Sequence, residues 1–135
     1  MLKTLTLCIT AALLVLPMPA YSHTNEAEAA ALAWLEAVDN GNYEHAWETS
    51  STLLQAPLSA GMLARTVELA RRDFGEVESR KRVRVTREKS MPGAPEGDYA
   101  VYMFQTRFEN QSGIIETVTP YLEGGTWKVS GYYVE

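Results

Sequence analysis

The 135-residue chain has one cysteine and two histidines. Cys8 lies in an apolar N-terminal run, and residues 23–135 contain no cysteine. That segment makes no disulfide, so its hydrophobic core must hold it together. Scarce histidine argues against metal chemistry. A free amine at His23 with its own ring could begin a copper brace, but a stable one needs a second imidazole, and His45 is the sole remaining one. His45 reads as a surface residue following an acidic helix start, so neither a metal site nor a cofactor is expected. Ser50 and Ser51 follow His45 at helical spacing, yet no acid is placed to orient a triad. Long apolar runs are also lacking: residues 5–16 form the longest, too short to span a bilayer comfortably. Residues 26–48 hold six acidic side chains and no lysine or arginine.

What is present at the N-terminus predicts export. Lys3 precedes the apolar run, Pro17 and Pro19 break it, and Ala20-Tyr21-Ser22 places small residues where a signal peptidase cuts. Residues 1–22 are therefore read as a signal peptide, with a cut after Ala20 as the rival to one after Ser22. Cys8 lacks the small residues that precede a lipidated cysteine. The expectation is a periplasmic or secreted protein with no transmembrane span after cleavage and a single domain over residues 23–135. Net charge is −5, which argues against nucleic acid as a partner. Residues 65–89 nevertheless carry nine basic side chains against five acidic ones. Two readings of that strip stay open: a solvated face, or a seat for an anionic lipid headgroup, glycan or protein.

The first half has helical periodicity. Ala27, Ala31, Trp34, Leu35 and Val38 line one face, and the "DNGN" turn ends the helix because Gly41 tolerates a left-handed conformation. Asn42 caps a second helix presenting Tyr43, Ala46, Trp47, Ser50 and Leu54, which Pro57 stops. Ser59 caps a third, with Leu63, Val67, Ala70 and Phe74 as its stripe and Gly75 closing it. The second half alternates as strands: "ESRKRVRVTREKS", "DYAVYMFQTRFE", "IIETVTPYLE" and "TWKVSGYYV". The expected fold is α+β, with three N-terminal helices packed on one face of a curved, cone-like, four-stranded antiparallel sheet. In "SMPGAPEGDY", two prolines remove donors and two acidic residues add negative charge, so the stretch is read as a turn scaffold rather than a phosphate cradle.

Register follows from the turns. Gly124-Gly125 makes a two-residue hairpin that sets Leu122 opposite Trp127, Pro120 opposite Val129, Val118 opposite Gly131 and Glu116 opposite Tyr133. Pro120 cannot donate to the ladder, so a bulge or an edge is expected there. In the preceding hairpin, keeping all bulky apolar residues on one face aligns Phe108 with Glu116, Phe104 with Pro120 and Tyr102 with Leu122. Glu116 then becomes the one inward carboxylate of the last three strands. Two roles follow. It is a candidate proton-transfer base with Tyr133 as hydrogen-bonding neighbour, or a half-wet carboxylate bonded to Tyr133 or Lys81.

The segments "PGAPEGDYAVYMFQTRF", "ETVTPYLEGGTWKVSGYYV", "AWLEAVDNGNYEHAWETSS" and "FGEVESRK" closely resemble a family of small exported bacterial proteins known as domain of unknown function number four thousand nineteen. The chain departs from that family's pattern at Gly61-Met62-Leu63, where a tryptophan is usual. The resemblance implies an extracytoplasmic setting and no assigned activity, cofactor or catalytic residue. The order of helices then sheet also resembles nuclear-transport-factor-two-like and cystatin-like folds, which host both enzymes and inert modules. The leading functional reading is a non-catalytic module that binds a small molecule or an envelope protein, with Tyr43, Trp47, Tyr102, Glu116 and Tyr133 as ligand-contact candidates. The alternative is a small isomerase or dehydratase using Glu116 and Tyr133 in a pocket between helices and sheet. Were the protein to form a homodimer, the exposed sheet face is the expected contact.

Overall fold

The computed structural model describes residues 22–135. The signal-peptide reading and Cys8 lie outside the described residues, as does the side chain of His23. Four helices come first: α1 (Ser22–Asp39), α2 (Tyr43–Glu48), α3 (Thr52–Gln55) and α4 (Ala60–Ala70). Four strands follow: β1 (Val77–Glu88), β2 (Tyr99–Phe108), β3 (Ile114–Glu123) and β4 (Thr126–Val134). They form one antiparallel sheet in the order β1-β2-β3-β4. Among the described residues, no helix is long and apolar enough to cross a membrane.

The alanine-rich α1 buries the predicted stripe of Ala27, Ala31, Trp34, Leu35 and Val38. It ends in a Schellman closure: the Gly41 N–H donates to Val38 O, the Asn42 N–H donates to Ala37 O, and Gly41 has φ +73°. Asn42 caps α2 and Ser59 caps α4 through their side chains, and Gly75 closes the turn after α4 at φ +77°.

The predicted second helix is in fact two. Ser51 leaves helical geometry (φ −60°, ψ 150°), accepts from Leu53 N as a cap, and donates its own N–H to Val129 O on β4. The run Ser50-Ser51-Thr52 offers the backbone local hydroxyl partners that compete with a continuous helix. Glu123, at the end of β3, completes the break by accepting from Ser51 Oγ, Thr52 N and Thr52 Oγ1. These bonds hold its carboxyl below the usual range, first through the Thr52 hydroxyl.

α1 lies across β2, β3 and β4, while α4 packs mainly on α2. The inward face of the sheet carries Tyr102, Phe104, Val118, Trp127 and Val129 into the same core as the helices. The Gly124-Gly125 hairpin pairs Leu122 with Trp127 and Pro120 with Val129 as expected, with both glycines at positive φ. A bulge then intervenes between Thr119 and Pro120. Ser130 is the extra residue, and its hydroxyl donates to Thr119 O. Beyond it Thr119 faces Gly131, Val118 faces Tyr132 and Glu116 faces Val134. The expected pairs Val118–Gly131 and Glu116–Tyr133 are thus corrected by one residue.

The β2–β3 register also differs. Tyr102 pairs with Val118 and Phe104 with Glu116, four residues from the expected alignment but with the same parity, so the inward face is as expected. The connection after Phe108 does not close as a short hairpin because it is tied elsewhere. Asn110 N donates to Phe74 O, and Glu109 N to Glu76 O, clamping the loop to the α4–β1 junction.

Residues 90–98 cover the outer face of the sheet. Tyr99 and Tyr121 stack there with ring centroids 4.7 Å apart, the Tyr99 hydroxyl donates to Pro95 O, and Gly97 N donates to Lys89 O. A Cβ on Gly97 would stand 2.7 Å from Tyr121 Cε2, so only glycine lets the chain pass this ring.

Candidate functional site

Four charged side chains from four elements meet beneath the sheet. Asp39 is the last residue of α1, Arg71 follows α4, Arg80 lies on β1 and Glu116 on β3. Glu116 has zero exposure. Its Oε1 accepts from Arg80 Nε at 2.9 Å and lies 2.8 Å from Arg80 Nη2, and it also accepts from the Thr106 hydroxyl. Its Oε2 accepts from Arg71 Nη2 at 2.7 Å and from the Tyr132 hydroxyl. Asp39, on the solvent side, takes Arg71 Nη1 at 2.7 Å and Arg80 Nη1 at 2.8 Å. The cluster is therefore balanced, two guanidiniums against two carboxylates, with the arginines only 11% and 12% exposed.

Its electrostatics follow from that geometry. Burial alone would raise the Asp39 carboxyl, but donation from Arg80 and Arg71 holds it below its ordinary value. Burial would weaken the Arg71 charge, yet Tyr132, Glu116 and Asp39 push its pKa further up. Burial, then the Glu116 carboxylate, pushes the Tyr132 phenol up, so it stays a neutral donor. Arg71 also packs its guanidinium against the rings of Phe108 and Tyr132, 5.3 and 5.5 Å from their centroids.

The residues singled out from sequence scatter. Glu116 is inward, as read, but its phenolic neighbour is Tyr132. The bulge turns Tyr133 to the outer face, where it is 59% exposed. Lys81, the other partner considered, is on β1 opposite Gln105 and also faces outward. Tyr102 is buried in the core, its ring 6.2 Å from that of Phe104. Trp47 donates Nε1–H to Leu58 O, pinning the α3–α4 connection. Tyr43 lines a surface hollow of about 310 Å³ beside Asp39, Glu68 and Arg71, and burial followed by the Glu68 charge raises its phenol.

Sequence reasoning missed Asp39, Arg71, Arg80, Thr106 and Tyr132. One signal was available for Arg80: strand alternation on β1 sends Arg80 and Lys81 to opposite faces, and a buried carboxylate requires a cation.

With both oxygens engaged, Glu116 has no free lone pair to take a substrate proton, and it lines none of the cavities described here. Arg71, Arg80 and Tyr132 hold the hydrogen-bonding positions around its two oxygens. A different cleft, of about 280 Å³, opens between α3, α4 and β4. Leu54, Leu58, Leu63, Val67 and Tyr132 line it, and the exposed Thr66 stands at its lip. Met62 and Leu69, one turn to either side of Thr66 on α4, are 54% and 63% exposed. Elsewhere, Trp127 Nε1 is a buried donor without an acceptor, with Arg87 over its ring at 5.2 Å. Among the described residues no three of histidine, cysteine, aspartate or glutamate gather as a metal site would require.

The sequence pattern of the family described as "Protein of unknown function (DUF4019)" matches residues 30–132. The chain belongs to this family. Every member of the buried network, from Asp39 to Tyr132, falls inside the matched DUF4019 segment. No curated protein and no solved structure matches the chain.

Proposed function

We propose that this DUF4019 protein is an exported, non-catalytic binding module whose ligand seat is the apolar cleft between α3, α4 and β4. The N-terminal basic, apolar and small-residue pattern supports export. The observation that carries the binding reading is the cleft itself, with leucine and valine walls and an aromatic residue on one side, and with Met62 and Leu69 exposed a turn to either side of Thr66 on α4. At about 280 Å³ it is at the small end of ligand pockets, which suits a compact apolar molecule or a short acyl or side-chain segment of a larger partner. The polar network does not compete for this role, because Tyr132 lines the cleft while its hydroxyl is committed to Glu116.

The test is binding of a small apolar fluorescent probe to the chain from residue 23 onward, compared with Thr66→Phe. Thr66 is exposed, and its hydroxyl back-bonds to Met62 O. Phenylalanine has a similar helix propensity, so it blocks the lip without opening the core. The expected result is a saturable probe signal that falls at least about tenfold in Thr66→Phe, about 1.4 kcal/mol, with an unchanged melting temperature. Equal probe binding by both proteins would remove the cleft as the ligand seat.

A further inference from the structure

The basic strip of residues 65–89 divides once it is folded. Arg71 and Arg80 enter the buried network, Arg82 pairs with Glu28 at 2.6 Å, Arg87 lies over Trp127, and Lys89 bonds to Asp98. The solvated-face reading covers Arg65 on α4 and Arg72 in the turn after it, both exposed. Two cations of β1, Lys81 and Arg84, fit neither group, and Lys81 is the one with a second cation on the neighbouring strand in the same hollow. Lys81 faces outward and meets no carboxylate within ion-pair distance among the described residues.

Its neighbours form a quartet on the outer face. Lys81 pairs with Gln105 and Ser79 with Arg107 across the β1–β2 ladder. Lys81 and Arg107 therefore occupy one diagonal of the square, with Ser79 and Gln105 on the other. Diagonal positions on adjacent strands lie roughly 7–8 Å apart, a gap that one oxyanion bridges. All four residues line a hollow of about 280 Å³, together with Arg80 and Thr106 between them and Gly113 at its rim. Gly113 has φ +72°, and a Cβ there would meet nothing within 4 Å, so the rim stays open. Among the described residues Arg107 has one acidic contact, Nε to Glu78 Oε2 at 3.9 Å, at the limit of an ion pair. Two like charges share one hollow with little to neutralise them, and an anion placed between them relieves that repulsion.

We infer that the Ser79, Lys81, Gln105 and Arg107 quartet is a binding site for a phosphate-type oxyanion, taken either as the free ion or as a phospholipid headgroup. Lysine supplies a point charge, arginine a planar fork that matches two phosphate oxygens, and the serine hydroxyl and glutamine amide donate to those remaining. The site is on the opposite face of the sheet from the apolar cleft and stands independently of it. Its exposure means salt screens it strongly, so binding in the range of about 1 mM at low ionic strength is expected.

The experiment is a phosphate titration of the isotope-labelled chain followed by amide chemical shifts, with sodium chloride at matched ionic strength as reference. Flotation with neutral phosphatidylcholine vesicles and with vesicles containing phosphatidylglycerol forms the second arm. The variant is Lys81→Gln/Arg107→Gln, and Arg65→Gln/Arg72→Gln removes the same charge elsewhere. Saturable shifts at Ser79, Lys81, Gln105, Arg107 and Gly113, weakened at least about tenfold in the first variant and unchanged in the second, uphold a free-ion site. Binding to phosphatidylglycerol vesicles that the first variant alone abolishes upholds the headgroup form. Shifts that chloride reproduces, responses equal in both variants, or no response in either arm would overturn the inference. A lowered melting temperature is not expected, since both replaced side chains are solvent-exposed. The control variant separates loss of the site from loss of net charge.

Discussion

Replacing Glu116 by glutamine is the sharpest test of the buried network. The amide keeps the shape of the carboxylate but carries no charge, and one of its two ends donates instead of accepting. In the native cluster Oε1 faces Arg80 and Oε2 faces Arg71, so either orientation of the amide points an N–H at a guanidinium. One charge-assisted contact is lost outright, about 1.5–3 kcal/mol. The balance of two cations and two anions becomes two against one in a site where the arginines are nearly buried. Breaking a buried pair in this way costs about 3–5 kcal/mol in total. For a domain of about 114 residues, unfolding entropy converts that to a fall in melting temperature of about 12–20 °C.

Urea unfolding and calorimetry on Glu116→Gln, Arg80→Met and the double variant form a cycle that isolates the coupling. The double variant restores balance, one cation against one anion, and is expected to be clearly less unstable than the sum of the single changes. A drop under about 1 kcal/mol for Glu116→Gln, or simple additivity in the cycle, would refute the reading of Glu116 as a saturated structural anion. A carboxylate held for catalysis behaves the other way: its removal leaves stability unchanged or improved.

Two further outcomes follow from the same contacts. Because the folded Asp39 carboxyl is held below its ordinary value of 3.8, its contribution to stability is complete above that pH and is lost as pH falls through the folded value. Acid titration of the melting temperature is expected to show a decline below about pH 4 that is shallower in Asp39→Asn, and an equally steep decline in the variant would contradict the assignment. Gly97→Ala pushes a methyl group into the Tyr121 ring, where the Cβ would be 2.7 Å from Cε2. A loss of about 1–3 kcal/mol is expected in urea unfolding, with amide exchange accelerated in residues 90–98, and unchanged protection there would show that the loop does not depend on this contact.

Much of the fold was legible because its signals are local. The α1 stripe, the Gly41 and Gly75 closures, the Asn42 and Ser59 caps and the double-glycine hairpin each depend on a few consecutive residues, and all are present. The sign of the division of the second helix is a run of four hydroxyl residues, Thr49 to Thr52. What makes Ser51 leave the helix is the β3–β4 hairpin more than seventy residues away, through Glu123 on β3 and Val129 O on β4. The missing proline donor predicts a bulge or an edge at Pro120 but not which strand takes the extra residue. A single extra residue on β4 exchanges Tyr133 for Tyr132 beside Glu116.

By itself, then, the sequence determined the order of helices and strands, the inward face of the sheet and the solitary inward carboxylate. Periodicity and turn chemistry are properties of neighbouring residues. Only the tertiary structure decided what that carboxylate meets. Asp39, Arg71, Arg80, Thr106 and Tyr132 come from separate elements, and nothing in their spacing along the chain requires them to converge. Their meeting depends on two β1 bulges, one β4 bulge and a β2–β3 loop tied to Phe74 and Glu76. Those irregularities arise where ladder hydrogen bonds give way to long-range contacts, and they turned a candidate base into the neutralised centre of the fold.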